Sequence, residues 1–273
     1  MSERVEYPFH SLEDFLTSKA LHADGQLDDG WGALFPVKGR EIEATVLFAD
    51  ITAFTERTRD LSPAETLVFV NNFFAWISAE AIRGSHGIVD KYIGDEVMIV
   101  FSTEFGSEDP FVDAVRSARW MAQNDVLGFA PHIGIASGRV IVGYAGTPLR
   151  YNCSVFGEPV AVAARCAGVK SERKAAFGAV VVFPADDWGD RELRDVIPPQ
   201  QATSADGTIV ERPYDWELSG PRDVTVKTTP LVVRELVKTG IWLPGPGTSP
   251  EERAREGLEQ LRRAGLYRPD LPI

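Results

Sequence analysis

The alternation of apolar and polar residues divides this chain into short structural elements. The segment 44–49 is uncharged and apolar, which is typical of a buried strand, and Asp50 ends it. The residues that follow, 51–55, change to a helical pattern. A further helix is predicted to begin after Ser62, because the residues Ser-Pro-Ala-Glu at 62–65 combine a capping box with proline at the first helical position.

Two apolar segments on either side of Gly94 and Asp95 predict a β-hairpin with Asp95 at its tip. The pattern of the remaining chain predicts helices over 109–124, 159–169 and 250–264. It predicts strands over 132–138, 140–144, 179–183 and 224–237, the first two of them joined at Gly138 and Arg139. A projecting loop is predicted over 146–154. Elements in this order indicate an α+β fold with a central mixed or antiparallel sheet flanked by helices. A doubly wound nucleotide fold is not expected, and no phosphate loop of the form G-x-x-x-x-G-K-[ST] is present.

One main domain with an extension on each side is predicted. Residues 1–40 are expected to form an N-terminal arm with a short helix, 41–237 the main domain, and 238–273 a C-terminal helical extension. Residues from about 185 to 220 are rich in Asp, Pro, Gly and Gln and show no periodicity. This composition predicts an irregular insertion in the main domain.

The composition restricts the partners that this chain can have. Its 273 residues are 44% hydrophobic and 25% charged, as in a soluble globular protein, and the net charge of -12 argues against a nucleic acid or an acidic membrane as the main partner. Cys153 and Cys166 lack metal-ligand spacing and are expected to be reduced thiols. No signal peptide and no apolar run of about 20 residues is present, so we expect a cytoplasmic protein.

Two isolated carboxylates carry the chemistry of this sequence. Asp50 ends a buried strand, and the backbone amides that follow it lead into a helix, where they can receive an anion. Asp95 stands at the tip of the predicted hairpin. Either residue alone is better explained as a solvated strand end or turn, but together they favour a site for metal ions and phosphate.

The motifs around these carboxylates resemble those of class III nucleotidyl cyclases. The resemblance rests on the residues Phe-Ala-Asp-Ile-Thr-Ala-Phe-Thr at 48–55, Lys-Tyr-Ile-Gly-Asp at 91–95, Gly-Ile-Ala-Ser-Gly at 134–138, and Phe-Gly-Glu-Pro at 156–159 through to Arg165. It covers about residues 41–183, with a weaker similarity at 224–236. It implies the catalytic-domain fold of that family and the cyclisation of a nucleoside triphosphate.

The resemblance also implies a role for each site residue. Asp50, Asp95 and the Ile51 carbonyl would bind two divalent ions, Mg²⁺ or Mn²⁺, which suits a site with few carboxylates. The backbone amides of Phe54 and Thr55 would hold the terminal phosphates. Lys227 would contact the same phosphates and Arg165 would stabilise charge on the α-phosphate during ring closure. A solvated strand lysine is an equally good explanation of Lys227, and a surface arginine is the weaker alternative for Arg165.

The base-reading positions depart from those of purine cyclases. Lys91 occupies the position of a base-reading lysine, and Ser154 stands where many adenylate cyclases have Asp or Thr. Purine cyclases carry an Asn four residues before the arginine to orient the ribose, and Ala161 replaces it here. This Ala-x-x-x-Arg pattern resembles the pyrimidine cyclases of bacterial anti-phage defence, which make cyclic UMP or cyclic CMP.

Three functions are therefore weighed. A pyrimidine cyclase is favoured, with UTP slightly preferred over CTP because a lysine and a hydroxyl suit the two carbonyls of uracil. The alternatives are an adenylate cyclase and a catalytically degenerate nucleotide-binding domain that regulates a partner. The resemblance further implies a homodimer with two composite sites, in which the metal ligands of one subunit face Lys91, Ser154 and Arg165 of the other.

Overall fold

The computed structural model of this chain describes residues 26–27, 37–78, 82, 84–123, 128–147, 150–171, 180–199, 201–203, 207–211, 215–239 and 250–263. The helix predicted within the N-terminal arm lies outside these residues.

Two long paired strands, β2 and β5, form the centre of the molecule. They pair antiparallel without a break, from Lys38 opposite Tyr144 to Asp50 opposite His132. The strands are β1 (Gln26–Leu27), β2 (Val37–Asp50), β3 (Ile88–Ile93), β4 (Glu96–Phe101), β5 (His132–Thr147), β6 (Arg150–Phe156), β7 (Val180–Pro184), β8 (Gln201–Thr203), β9 (Ile209–Glu211), β10 (Trp216–Leu218), β11 (Arg222–Val226) and β12 (Thr229–Lys238).

Within the described residues the main sheet has the order β10, β12, β7, β5, β2, β4, β3. Three further strands join it, since β1 pairs with β2, β6 with β5 and β11 with β12. The pairings in this sheet are antiparallel except that between β5 and β7, which is parallel. The predicted α+β fold with a central, mostly antiparallel sheet is confirmed.

The helices lie on both faces of this sheet. They are α1 (Phe54–Thr58), α2 (Pro63–Trp76), α3 (Pro110–Gln123), α4 (Glu158–Ala167), α5 (Ala185–Trp188), α6 (Leu193–Val196) and α7 (Pro250–Arg263). The predicted start of α2 is confirmed, because the Ser62 hydroxyl accepts a hydrogen bond from the Glu65 amide while the Glu65 carboxylate accepts one from the Ser62 amide. No helix in the described part of the chain is long and apolar enough to cross a membrane.

Alternate side chains of the central strands pack into separate cores on the two faces. Leu47 and Ile99 join the core that contains α2 and α3, whereas Val46 and Met98 join the core under α4. These strand residues are fully buried or nearly so. Since β2 is enclosed on both faces, Asp50 at its end is held on a rigid support.

The prediction of two strands joined at Gly138 was wrong. Gly138 has a φ of 146° but stays inside β5, opposite Ala44 of β2. The long partner strand keeps the ladder continuous through the glycine, which a local turn signal does not reveal.

The projecting loop predicted over 146–154 was also wrong over most of its length. Residues 150–156 form β6, which pairs with the second half of β5 from Thr147 opposite Arg150 to Ile141 opposite Phe156. The glycine and polar residues of this segment are typical of a loop, but its pairing with β5 makes it a strand.

The segment 185–220 is more regular than predicted. It contains the helices α5 and α6 and the strands β8, β9 and β10. Four of its apolar side chains are buried in the core next to α3, namely Trp188, Val196, Ile197 and Trp216.

Helix α7 likewise packs on α1 and α2 and buries Leu258 and Leu261. The division of the chain into domains stays a prediction.

Candidate active site

Two carboxylates meet at one end of the central strands. Asp50 is the last residue of β2 and lies opposite Glu96 of β4, and Asp95 stands in the turn that joins β3 to β4. The side chains of Asp50 and Asp95 lie within hydrogen-bonding reach of each other. Burial, hydrogen bonding to the Asp95 side chain and the negative charges of Asp95 and Glu96 raise the pKa of Asp50 to about 8, against an opposing hydrogen bond with the Ile51 backbone.

This pair of carboxylates fits the binding of divalent cations. Two carboxylates in contact must share a proton or a cation, and burial together with the neighbouring Asp95 raises the pKa of Asp50, so the site disfavours two uncompensated charges. Among the described residues no group of three or more His, Cys, Asp or Glu side chains could hold a metal ion. A pair of carboxylates with backbone oxygen is typical of a site that completes its Mg²⁺ or Mn²⁺ shell with phosphate and water.

Helix α1 follows the acidic strand end directly. Its N-cap residue, Ala53, is in the left-handed region with a φ of 54° and provides no side-chain cap. Two side chains fix this segment from outside: the Thr52 hydroxyl donates to the Ala130 carbonyl, and Arg57 Nη1 donates to the Gly128 carbonyl at 2.5 Å. The amides near Phe54 and Thr55, predicted to hold phosphate, thus begin a short helix anchored beside Asp50.

A second polar cluster lies on β3 and β6. Lys91 donates a hydrogen bond to the Ser154 hydroxyl, and Ser154 donates to Asp90 Oδ2 at 2.9 Å. Lys91 Nζ also lies 3.1 Å from Asp90 Oδ2. The Lys91 ammonium lies 6.0 Å from the ring centroid of Phe156, an exposed aromatic residue. The structure therefore brings the two predicted base-reading residues together within one chain.

Helix α4 carries the two remaining positions of the predicted site. Ala161 is exposed and Arg165 is half-buried, and they are four residues apart on one face of the helix. The helix packs very closely on β5, where Gly134 leaves no room for a Cβ atom against the backbone of Ala163 and Ala167. The depth of Arg165 in the fold is thus set by a backbone-to-backbone contact.

Lys227 occupies the turn between β11 and β12, with a φ of 58°. Burial and the charge of Asp95 raise the pKa of Glu96, and the positive charge of Lys227 opposes this rise. Lys227 therefore lies within electrostatic range of the acidic strand end in the same chain.

Two acidic residues of this site were not identified from the sequence. Glu96 follows Asp95 directly and adds negative charge next to Asp50. Asp90 lies beneath Lys91 and Ser154. The signal for Asp90 was a charged residue in a strand segment that is otherwise apolar up to Lys91, but nothing in the pattern indicated that its side chain faces Ser154.

Comparison with known proteins places this geometry in a described family. The sequence model of the "Adenylate and Guanylate cyclase catalytic domain" matches residues 37–179, more than half of the chain. The uncharacterized protein Rv1318c of Mycobacterium tuberculosis is 33% identical over 138 residues, which are 50% of this chain and 25% of that protein. The uncharacterized protein Rv1319c of the same organism is 31% identical over 130 residues, 46% of this chain and 24% of the relative. The chain thus spans about a quarter of the length of these curated relatives.

Solved structures share the fold at low sequence identity. The crystal structure of the guanylyl cyclase Cya2 has a TM-score of 0.52 and 21% identity, over 74% of this chain and 95% of that one. The adenylyl cyclase CyaB from P. aeruginosa has a TM-score of 0.52 and 20% identity, over 76% of this chain and 99% of that one. These likenesses show the fold.

Proposed function

Because this chain belongs to the adenylate and guanylate cyclase catalytic domain family, we propose that it cyclises a nucleoside triphosphate, and that the preferred base is a pyrimidine. The observation that carries the proposal is the contact between the Asp50 and Asp95 carboxylates beside the start of α1. Two carboxylates next to the first amides of a helix are a combination that suits a triphosphate and its metal ions.

The reaction that we propose converts the triphosphate to a 3',5'-cyclic monophosphate and diphosphate. The ribose 3'-oxygen attacks the α-phosphorus and loses its proton, while the bond from that phosphorus to the diphosphate breaks. Asp50, Asp95 and the Ile51 carbonyl would hold two Mg²⁺ or Mn²⁺ ions, which supply Lewis acidity to the attacking oxygen and neutralise phosphate charge. The amides of Phe54 and Thr55 would fix the terminal phosphates.

Arg165 and Lys227 provide the positive charge in this scheme. We assign Arg165, a half-buried residue, to the α-phosphate, where its guanidinium can stabilise the additional charge of the transition state. Lys227 already acts electrostatically on Glu96 at the acidic end, which supports its assignment to the terminal phosphates.

The base preference rests on α4 and on the cluster around Ser154. Ala161 places an exposed methyl group where purine cyclases orient the ribose with an amide, which supports a pyrimidine substrate. Lys91 and Ser154 lie in contact and can serve the carbonyl and N–H groups of uracil, so UTP is preferred over CTP. The proposed role of the product, a second messenger in antiviral defence, is supported by the resemblance of the Ala-x-x-x-Arg pattern to the cyclases of anti-phage defence.

An adenylate cyclase is the second candidate. It is favoured by the contact between Lys91 and Ser154, because a lysine next to a small hydroxyl side chain also suits the N1 and N6 edge of adenine. Solved structures with this fold include enzymes named as adenylyl and as guanylyl cyclases.

Product identification separates these functions. Purified protein is incubated with Mn²⁺ and an equimolar mixture of ATP, GTP, CTP and UTP, and the cyclic products are identified by mass spectrometry. Cyclic UMP or cyclic CMP is expected, and Asp50→Asn protein should make neither. Cyclic AMP as the main product would refute the pyrimidine assignment, and bound nucleotide without any product would favour the regulatory binding domain.

We further propose a homodimer in which each site combines the Asp50 end of one subunit with Arg165 of the other. Neither Asp50→Ala nor Arg165→Ala protein should be active alone. In a 1:1 mixture about half of the dimers contain one subunit of each kind, and one of the two sites in such a dimer is intact. The mixture should therefore recover roughly a quarter of the total wild-type activity. Absence of recovery, with mixed dimers verified by native mass spectrometry, would contradict the composite site.

A further inference from the structure

We infer that Asp90 is a positioning residue of the base site, which orders Ser154 and Lys91 for one face of the base. The inference rests on the proposed nucleotide cyclisation and assigns a function to a buried carboxylate outside the metal and phosphate sites.

A β-bulge places Asp90 in this position. Val89 pairs with Ile99 and Lys91 pairs with Met98, so Asp90 is the extra residue between two consecutive partners on β4. Neighbouring side chains in a regular strand point to opposite faces, and a bulge redirects one of them. This irregularity explains how Asp90 and Lys91, adjacent in sequence, both contact Ser154.

The Asp90 carboxylate is buried and only partly satisfied. Its side chain is 0% exposed, Oδ2 contacts both Ser154 and Lys91, and Oδ1 has no hydrogen-bond partner among the described residues. A buried carboxylate with an unpaired oxygen costs stability. Burial also raises the pKa of Asp90, and the contacts with Lys91 and Ser154 oppose this rise. The two contacts that favour the ionised acid, with Lys91 and Ser154, are the same two that Asp90 orders.

The contacts of Asp90 set the direction of the hydrogen bonds in the cluster. An ionised carboxylate only accepts, so the single Ser154 proton points to Asp90. The Ser154 oxygen then has lone pairs only, one of which receives the Lys91 hydrogen bond. Toward a nucleotide, Ser154 is an acceptor and Lys91 a donor. The base that fits offers an N–H beside an acceptor, as the N3–H and O4 of uracil or the N6–H and N1 of adenine do.

The isosteric substitution Asp90→Asn tests this role. An amide can donate to Ser154, which frees the hydroxyl to point its proton at the base and removes the enforced pattern. In the four-nucleotide competition, we expect the preference for the best nucleotide over the next to fall roughly tenfold, the effect of one hydrogen bond to a charged group. KM should rise more than kcat falls. Asp190→Asn, the same change at an exposed position, is the matched control and should leave the preference intact.

A double-mutant cycle with Ser154→Ala distinguishes positioning from plain packing. If Asp90 acts through Ser154, the double variant should discriminate no worse than either single variant. A lower melting temperature in Asp90→Asn protein with unchanged KM and unchanged nucleotide preference would overturn the inference. If that variant does not fold, Ser154→Ala alone decides, because unchanged preference there also removes the role.

Failure of the proposed function has a separate signature. If wild-type protein makes no cyclic nucleotide, the same variants are compared by thermal shift with each of the four nucleotides in Mn²⁺. A preference among nucleotides that Asp90→Asn weakens would support the positioning role without catalysis. Equal shifts in wild-type and variant protein, or no shift with any nucleotide, would refute it.

Discussion

A single methyl group added at Gly134 of β5 should lower both the stability of the fold and the rate of catalysis. A Cβ atom built on Gly134 would lie 2.0 Å from the Ala163 carbonyl oxygen and 2.2 Å from the Ala167 amide nitrogen. Both contacts are to the backbone of α4, so no side-chain rotation can relieve them. Gly134→Ala must therefore push the helix that carries Arg165 away from the sheet.

The size of the effect follows from these distances. Ordinary van der Waals contact begins at 3.4 Å, so α4 must retreat by the difference from 2.0 Å, roughly 1.4 Å if the helix moves along the contact. Forced overpacking of this kind costs about 3 kcal/mol, at the upper end of its usual range. For a chain of this size that corresponds to a fall in melting temperature of roughly 6–12 °C. A displacement of about 1 Å at a catalytic group costs roughly a hundredfold in rate.

The assay compares melting temperature and cyclase activity of Gly134→Ala with those of Gly220→Ala. Gly220 is exposed, and a Cβ atom added to it would have no heavy atom within 4 Å, so its alanine variant should match the wild type. At a temperature where Gly134→Ala is fully folded, its kcat should still be reduced strongly, since Arg165 is displaced. A Gly134→Ala protein with wild-type stability and activity would refute the close approach of α4 to β5 and its role in placing Arg165.

Three further predictions concern the acidic end, the C-terminal helix and a buried ion pair. Metal-free protein should lose stability as pH rises from about 4 to about 8. The pKa of Asp50 is about 8 in the folded protein and 3.8 in the unfolded chain, so in this window the folded state binds a proton that the unfolded chain does not. This stabilisation is lost as the proton leaves. Melting curves should show a flatter pH dependence for Asp50→Asn, and Mn²⁺ should restore wild-type stability at the alkaline end; an equal slope in both proteins would contradict this. Leu261 is buried in α7, and Leu261→Ala should lower the free energy of unfolding in urea by about 2–3 kcal/mol. Because α7 contacts α1, this variant should also have a raised KM. Unchanged stability and KM would show that α7 does not support the site. Glu235→Ala removes the ion-pair partner of Arg222, a carboxylate whose side chain is 2% exposed, and should lower the free energy of unfolding in urea by about 3 kcal/mol. A loss below about 1 kcal/mol would show that the Glu235 carboxylate is not buried as described.

The sequence predicts those features that depend on neighbouring residues. The capping box at Ser62 is a local hydrogen-bond pattern, and the structure contains both of its hydrogen bonds. The hairpin around Asp95 depends on a short turn between apolar segments, and β3 and β4 have the expected positions. Motif order then placed the chain in the cyclase family, which the family match confirms.

Features that depend on distant partners were missed. Gly138 suggested a turn, yet thirteen consecutive register pairs with β2, from Lys38 to Asp50, hold β5 straight through it. Residues 150–156 form a strand only because β5 extends far enough to pair with them. Trp188 gave no periodic signal, although it is 1% exposed and stacks on Phe183 in the core. A single buried aromatic residue can fix an irregular segment without leaving a repeat in the sequence.

The same distinction separates the two halves of the candidate site. Asp50 and Asp95 are positioned by the backbone pairing of central strands, which many hydrogen bonds maintain and which a sequence motif records. Lys91 and Ser154 meet through side chains alone, with Asp90 reaching them only because the strand bulges there. Such a cluster can change its donors and acceptors with little effect on the strands that hold the proposed metal ligands. The choice of base can therefore vary independently of the proposed cyclisation chemistry, which is why the motifs identify the family but not the nucleotide.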